Sequence, residues 1–200
     1  MSALLAPTHT FISPEEYLEI DRAGERKSEY FDGAMFLMAG ASRDHISISI
    51  EVAAVLRNQL RGMPCRPFNS DTRVKIPNKN FCFPDVSIAC DPQWEDKRFD
   101  ILLNPVVVFE VLSPSNESWD RGGKFREYQR ISSLREYVLV SQDKPLIEIY
   151  SRRDVGWLYR AVEGREASIA LESVEGVVLP LHEIYERVVF EDETRQDSNS

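Results

Sequence analysis

Apolar positions recur along the chain with two periods, and the switches between them predict the elements. In "TFISPEEYLEID", Ser13 is a helix cap, Pro14 suits the first helical position, Glu16 completes a capping box, and Gly24 ends the helix. "SEYFDGAMFLMAG" predicts strand, turn at Asp32-Gly33, strand, with Glu29 at its start. From Ser42 to Leu60 the spacing is helical, with Ile46, Ile50, Ala53, Ala54 and Leu60 as its apolar positions, and Gly62 with Pro64 stops it. "CRPFNSDTRVKIP" reads as a strand carrying Asp71, "NKN" as a turn, and "FCFPDVSIAC" as the next strand. Residues 91–105 read as a loop or short helix. "VVVFEVL" is β-branched on both faces, as a central strand is. A turn-rich loop, "SPSNESWDRGG", precedes a helix from Lys124 to Ile131 and a buried strand, "LREYVLVS". "PLIEIYSR" and "GWLYRAV" predict a hairpin without a tight turn, and residues 167–190 give one or two short strands and a final helix-like piece.

This order predicts an α/β chain, more narrowly an α+β fold. Its mixed central sheet is flanked by helices, with additional C-terminal strands. One domain is expected over residues 1–190, with a disordered acidic tail over 191–200. No internal repeat and no glycine-rich phosphate loop is present; "DRGGKF" has the wrong spacing and no strand before it.

Composition narrows the picture modestly. With 42% hydrophobic and 28% charged residues among 200, the chain has the make-up of an ordinary globular protein. A net charge of -9 argues against a surface coated with nonspecific nucleic-acid contacts, yet leaves room for a local basic groove. The three cysteines lack ligand-pair spacing, and Cys82 and Cys90, in or beside apolar strands, are expected to be reduced packing residues. The first ten residues lack a signal-peptide pattern and no apolar run spans a membrane, so a cytoplasmic protein with no membrane partner is expected.

The chemistry resides in acids placed among apolar residues. Glu110 lies inside "VVVFEVL" and Asp85 opens "DVSIA"; a buried carboxylate costs several kcal/mol unless something compensates it. Two acids on neighbouring strands can hold a hard cation through oxygen ligands. Lys124 could balance charge or orient a nucleophile, and Glu29 is a fourth member. Each has an ordinary explanation too: a turn cap or salt bridge for Asp85, a solvated face for Glu29, a surface lysine for Lys124. Asp120 could simply cap the helix, and Asp71 could be a strand-end acceptor. Ser113 fits loop capping or substrate contact. His45 could line a site from the front of the long helix, whereas His9 and His182 are isolated.

"KSEYFDGAMFLMAGAS" with His45 behind it, "PDVSI", "VFEVLSPS", "DRGGKFREYQ" and "SLREYVLV" together resemble the Uma2 family, also described as DUF820. That family is assigned to the PD-(D/E)XK nuclease superfamily, and the resemblance covers roughly residues 11–190. It implies a restriction endonuclease-like core and a Mg²⁺-dependent DNA endonuclease in which Mn²⁺ could substitute. Glu29, Asp85, Glu110 and Lys124 would be its catalytic residues, and Asp85 and Glu110 would hold the metal. His45, Asp71, Ser113 and Asp120 are accessory candidates. The chain departs from the superfamily pattern in having Leu112, not lysine, two residues after Glu110; the resemblance implies that Lys124 supplies the amine from the following helix.

DNA is the expected partner, and a homodimer would let two sites cut two strands. Between Asp120 and Tyr137, Arg121, Lys124, Arg126, Arg130 and Arg135 stand against Asp120, Glu127 and Glu136, an excess that a phosphate backbone or helical salt bridges explain equally. Two other readings compete. One is a non-catalytic nucleic-acid-binding or protein-interaction module on the same fold. The other is a metal-dependent hydrolase of a small phosphate ester.

Overall fold

The computed structural model describes residues 11–190. The expectations for the tail at 191–200 and for the first ten residues, His9 among them, lie outside the described residues.

Helix α1 (Pro14–Ala23) begins with the anticipated capping box, Ser13 accepting from the Glu16 N–H and Glu16 from the Ser13 N–H. Strands β1 (Ser28–Phe31) and β2 (Ala34–Leu37) follow as an antiparallel hairpin. Asp32 and Gly33 both have positive φ, 47° and 91°, which an Asp-Gly pair tolerates in a two-residue hairpin turn. Helix α2 (Arg43–Gln59) is capped by the Ser42 hydroxyl.

The chain then departs from the predicted continuous strands. "CRPFNSDTRVKIP" divides into β3 (Cys65–Asn69) and β4 (Arg73–Lys75), and "FCFPDVSIAC" into β5 (Phe81–Cys82) and β6 (Val86–Cys90). At each break the chain passes from one sheet to the other. Pro84, which has no N–H for a ladder, stands in the second break. The expected loop at 91–105 contains β7 (Ile101–Leu102). The central strand is β8 (Val107–Val111).

A continuous helical stretch comes next: α3 (Glu117–Trp119), a π-helical turn at Asp120–Lys124, and α4 (Phe125–Tyr128). Helix therefore begins before Lys124 and includes "DRGG", contrary to the loop expected there. A glycine is needed at 123, because a Cβ would lie 1.8 Å from the Trp119 ring. Strands β9 (Glu136–Val140), β10 (Leu146–Arg152) and β11 (Trp157–Glu163) then β12 (Ser168–Ala170), β13 (Val178–Pro180) and helix α5 (Leu181–Ile184) complete the described chain.

The larger sheet has the order β11-β10-β9-β8-β6-β3 and is mixed: β8 and β9 are parallel, its other neighbours antiparallel. The smaller sheet is β2-β1-β5-β4-β7. On one face of the larger sheet, Ile48, Val52, Val55 and Leu56 of α2 pack with Ile88, Phe109 and Val138, together with residues of α5. Phe125, Tyr128 and Ile131 cover the other face with Val74 and Cys82 of the smaller sheet. Each such fully buried large apolar side chain contributes about 1.5–3 kcal/mol relative to exposure.

Two expectations are corrected here. Ile46 and Ile50 do not join the core; they are 49% and 59% exposed, and the buried stripe is displaced to Ile48 and Val52. Cys90 is not a reduced packing residue: it faces Cys65 across β3 and β6, and the two form a disulfide, while Cys82 is free and buried. Among the described residues no helix is long and apolar enough to cross a membrane.

Candidate functional site

Four local features bring the acids together. The β1 strand aims Glu29 inward beneath the smaller sheet, where it is 6% exposed and accepts the Phe83 N–H at 3.1 Å. That bond ties β1 to the Phe83-Pro84-Asp85 break. Asp85 stands immediately before β6, and its Oδ2 accepts the Val111 N–H at 2.7 Å, fastening the break to the end of β8. Glu110 stands one residue earlier on β8 and is 3% exposed. The π-helical turn, a device that often marks functional sites, turns both Asp120 and Lys124 inward, at 4% and 5% exposure.

Lys124 is the hub. Its Nζ lies 2.9 Å from Glu110 Oε1, 3.0 Å from Glu29 Oε1 and 3.8 Å from Asp120 Oδ1. The Tyr128 hydroxyl donates to the same Glu110 oxygen at 3.0 Å, one helical turn beyond Lys124. Asp85 Oδ1 meets His45 Nε2 at 2.9 Å. These side chains, Tyr128 excepted, line one cleft of ≈930 Å³, to which Phe36, Ile46, Ile50 and Trp119 add apolar surface. The exposure of Ile46 and Ile50 thus has a location: the open side of the site.

Charge in this cluster is unbalanced, with four acids around one lysine and one histidine. Burial pushes the Glu110 carboxyl well above the usual carboxylate range; Lys124 opposes this, while Asp120, Asp85 and Glu29 reinforce it. For Lys124 burial acts downward, but Glu110, Glu29 and Asp120 outweigh it and hold the ammonium charged. One ammonium shared among three carboxylates compensates itself fully and each of them only partly. Burial likewise lowers His45, but its hydrogen bond and charge interaction with Asp85 leave it above the ordinary imidazole value. Burial raises Asp120 from 3.8 to about 6, with Glu29 and Asp85 adding to the rise against Lys124.

The Asp120 value predicts a pH dependence. A carboxyl with a raised folded-state pKa binds more protons folded than unfolded, so its cost to stability is absent below about pH 4 and complete above about pH 6. The span from 3.8 to about 6 is worth ~3 kcal/mol at 1.36 kcal/mol per pH unit. Asp120→Asn is therefore expected to stabilise the metal-free protein by about 1–3 kcal/mol at pH 7.5, with no gain at pH 3.5. Urea unfolding at the two pH values checks this; an equal gain at both would show that the effect is not ionisation.

Other predicted residues fall elsewhere. Asp71 lies in the turn between β3 and β4, is 71% exposed in its side chain and pairs with Lys27 at 2.5 Å, so it is not among the clustered acids. Ser113 lines the cleft and shares a hydrogen bond with Ser115 at 3.1 Å. His182 is at the surface beside Glu183. Of the basic residues between 120 and 137, Arg121 pairs with Glu117 and Arg130 with Glu127, as salt-bridged helix faces do, and Arg121 also reaches Glu148 of β10. Sequence reasoning missed Tyr128; its i+4 spacing from Lys124 is the signal that could have found it.

The carboxylate oxygens of Asp85 and Glu110 are donors that suit a divalent cation. The Tyr128 hydroxyl and the Lys124 ammonium both address Glu110 Oε1. Against this, among the described residues no three His, Cys, Asp or Glu side chains converge as a ready ligand set. The physical reason is in the contacts: Lys124 stands between Glu29 and Glu110, and both Asp85 oxygens are engaged. An ion would have to displace those partners.

The comparisons agree on the family and fold. The Uma2 family, described as "Putative restriction endonuclease", matches residues 14–182. Uncharacterized protein slr1290 of Synechocystis sp. (strain PCC 6803) is 39% identical over 181 residues, covering 90% of this chain and 94% of that one. Uncharacterized protein sll1609 of the same organism is 30% identical over 169 residues, covering 83% and 96%. Among solved structures, "a putative nuclease belonging to DUF820" from Anabaena variabilis ATCC 29413 superposes with a TM-score of 0.73 at 17% identity, over 89% of this chain and 99% of that one. The α+β fold, a mixed central sheet flanked by helices, is the restriction endonuclease-like architecture.

Proposed function

The chain belongs to the Uma2 family, and from that premise we propose that it is a metal-dependent endonuclease hydrolysing phosphodiester bonds in DNA. One observation carries the reading. No lysine stands two residues after Glu110, but the Lys124 ammonium, from the helical stretch that follows β8, lies 2.9 Å from Glu110 and supports Lys124 in that role.

In this reading Asp85 and Glu110 hold Mg²⁺, or Mn²⁺ in its place. A bound ion would supply a more acidic water and stabilise charge on the scissile phosphate. Glu29 holds the Lys124 ammonium and fixes the Phe83 amide, so that the break carrying Asp85 keeps its place. Lys124 orients the attacking water or balances the developing negative charge. Tyr128 fixes the Glu110 carboxylate from behind.

The second reading, a non-catalytic binding module, is favoured by Lys124 being held among three carboxylates and by the absence of a converged ligand set among the described residues. Supercoiled plasmid separates the two. Incubated with the protein in Mg²⁺, Mn²⁺ or EDTA, it should be nicked or linearised only with metal. Glu110→Ala should abolish cutting, and Lys124→Ala should slow it by about two or more powers of ten, the usual worth of a charge-stabilising or proton-transferring group. DNA binding without metal-dependent cutting would leave the non-catalytic reading.

A further inference from the structure

The cluster has two ends, and only one is occupied by a fixed cation. Lys124 contacts Glu29, Glu110 and Asp120. Asp85 instead meets an imidazole: His45 Nε2 lies 2.9 Å from Asp85 Oδ1. Two donor atoms each ~2.1 Å from an octahedral ion and cis to one another are about 3 Å apart. The His45–Asp85 separation therefore matches two adjacent ligand positions on a single ion, which would enter in place of their hydrogen bond.

His45 is also positioned firmly enough to serve. It sits in the first turn of α2, its N–H donating to the Ser42 hydroxyl at 3.1 Å and its carbonyl accepting from Ser49 at 2.8 Å. Both His45 and Asp85 line the cleft.

We propose that His45 is a direct metal ligand, through Nε2, beside Asp85 Oδ1. This rests on the metal-site reading above and narrows it to a mixed nitrogen–oxygen site. An imidazole ligand favours first-row transition ions, whereas Mg²⁺ prefers oxygen and keeps its waters. The ion that the protein selects is then Mn²⁺ or a later transition ion rather than Mg²⁺.

Pulsed electron paramagnetic resonance of the full chain with MnCl₂ alone reads this without catalysis. Bound Mn²⁺ should show ¹⁴N modulation from a coordinated imidazole. His45→Gln should bind Mn²⁺ at least about 10-fold more weakly by calorimetry and lose the modulation, while its Mg²⁺ affinity changes by less than about 3-fold. The wild-type spectrum decides even if the variant folds poorly. Mn²⁺ bound without ¹⁴N modulation would overturn His45 as a ligand and leave the Asp85–Glu110 site standing. Modulation surviving in His45→Gln would assign the nitrogen to another histidine and overturn it equally. If wild-type protein binds no Mn²⁺ at all, both this inference and the metal-dependent reading fall.

Discussion

Replacing Lys124 with methionine is expected to cost about 3–5 kcal/mol of folding stability at pH 7.5, the usual consequence of leaving a buried charge without its partner. Methionine keeps most of the side-chain volume, so the loss reports charge rather than a cavity. Without the ammonium, Glu29 and Glu110 would face each other across a site where both are nearly inaccessible to water. The wild-type lysine has a raised folded-state pKa, so its contribution is fully present below the unfolded value of 10.5 and constant across the neutral range. The variant's deficit has the opposite dependence. Glu110 and Asp120 already have raised values and would rise further, so the deficit should shrink as pH falls from 7.5 towards 5 and these groups take up protons. Urea denaturation of both proteins at the two pH values measures this. A deficit under about 1 kcal/mol at pH 7.5 would mean that water, not Lys124, compensates the acids.

The sequence carried the elements and the members of the cluster better than it carried their connections. The capping box at Ser13 and the Asp32-Gly33 turn are local chemistry, set by residues within a few positions of one another. Glu110 was conspicuous because four apolar residues precede it, and it is indeed buried. The passage from one sheet to the other at Pro84 was not legible, because Phe81–Cys82 and Val86–Cys90 have the composition of one strand. What separates them is tertiary: β5 pairs with β1 and β4, while β6 pairs with β3 and β8. The stripe on α2 misled for a related reason. Ile46 and Ile50 have helical spacing, but an apolar cleft wall and an apolar core face look alike in one dimension. The Cys65–Cys90 bond depends on the β3–β6 register, which no spacing rule gives. The π-helical turn likewise has no signature in "DRGGK", although it is what turns Asp120 and Lys124 to the same interior.

Glu110→Gln should separate stability from function in opposite directions. Glutamine retains an acceptor for the Lys124 ammonium and the Tyr128 hydroxyl, both of which now address one Glu110 oxygen. It removes a charge whose burial, together with Asp120, Asp85 and Glu29, outweighs the help from Lys124. Lys124 would keep Glu29 at 3.0 Å and Asp120 at 3.8 Å. The metal-free variant is therefore expected to be about 1–2 kcal/mol more stable than wild type at pH 7.5, a rise of about 2–8 °C in Tm for a chain of this size. The sign follows from linkage: a carboxyl with a raised folded-state pKa costs stability only above its unfolded value, so the advantage should fade as pH approaches about 4.5. Cleavage should be lost, because an amide gives a divalent cation no charge. Adding Mn²⁺ at about 100 times its Kd should raise wild-type stability by about 2.7 kcal/mol and reverse the order of the two proteins. Scanning calorimetry with and without MnCl₂ follows both effects. A lower Tm for the metal-free variant would instead make Glu110 a structural partner of Lys124 and Tyr128, and Asp85 and His45 would then have to hold any ion without it.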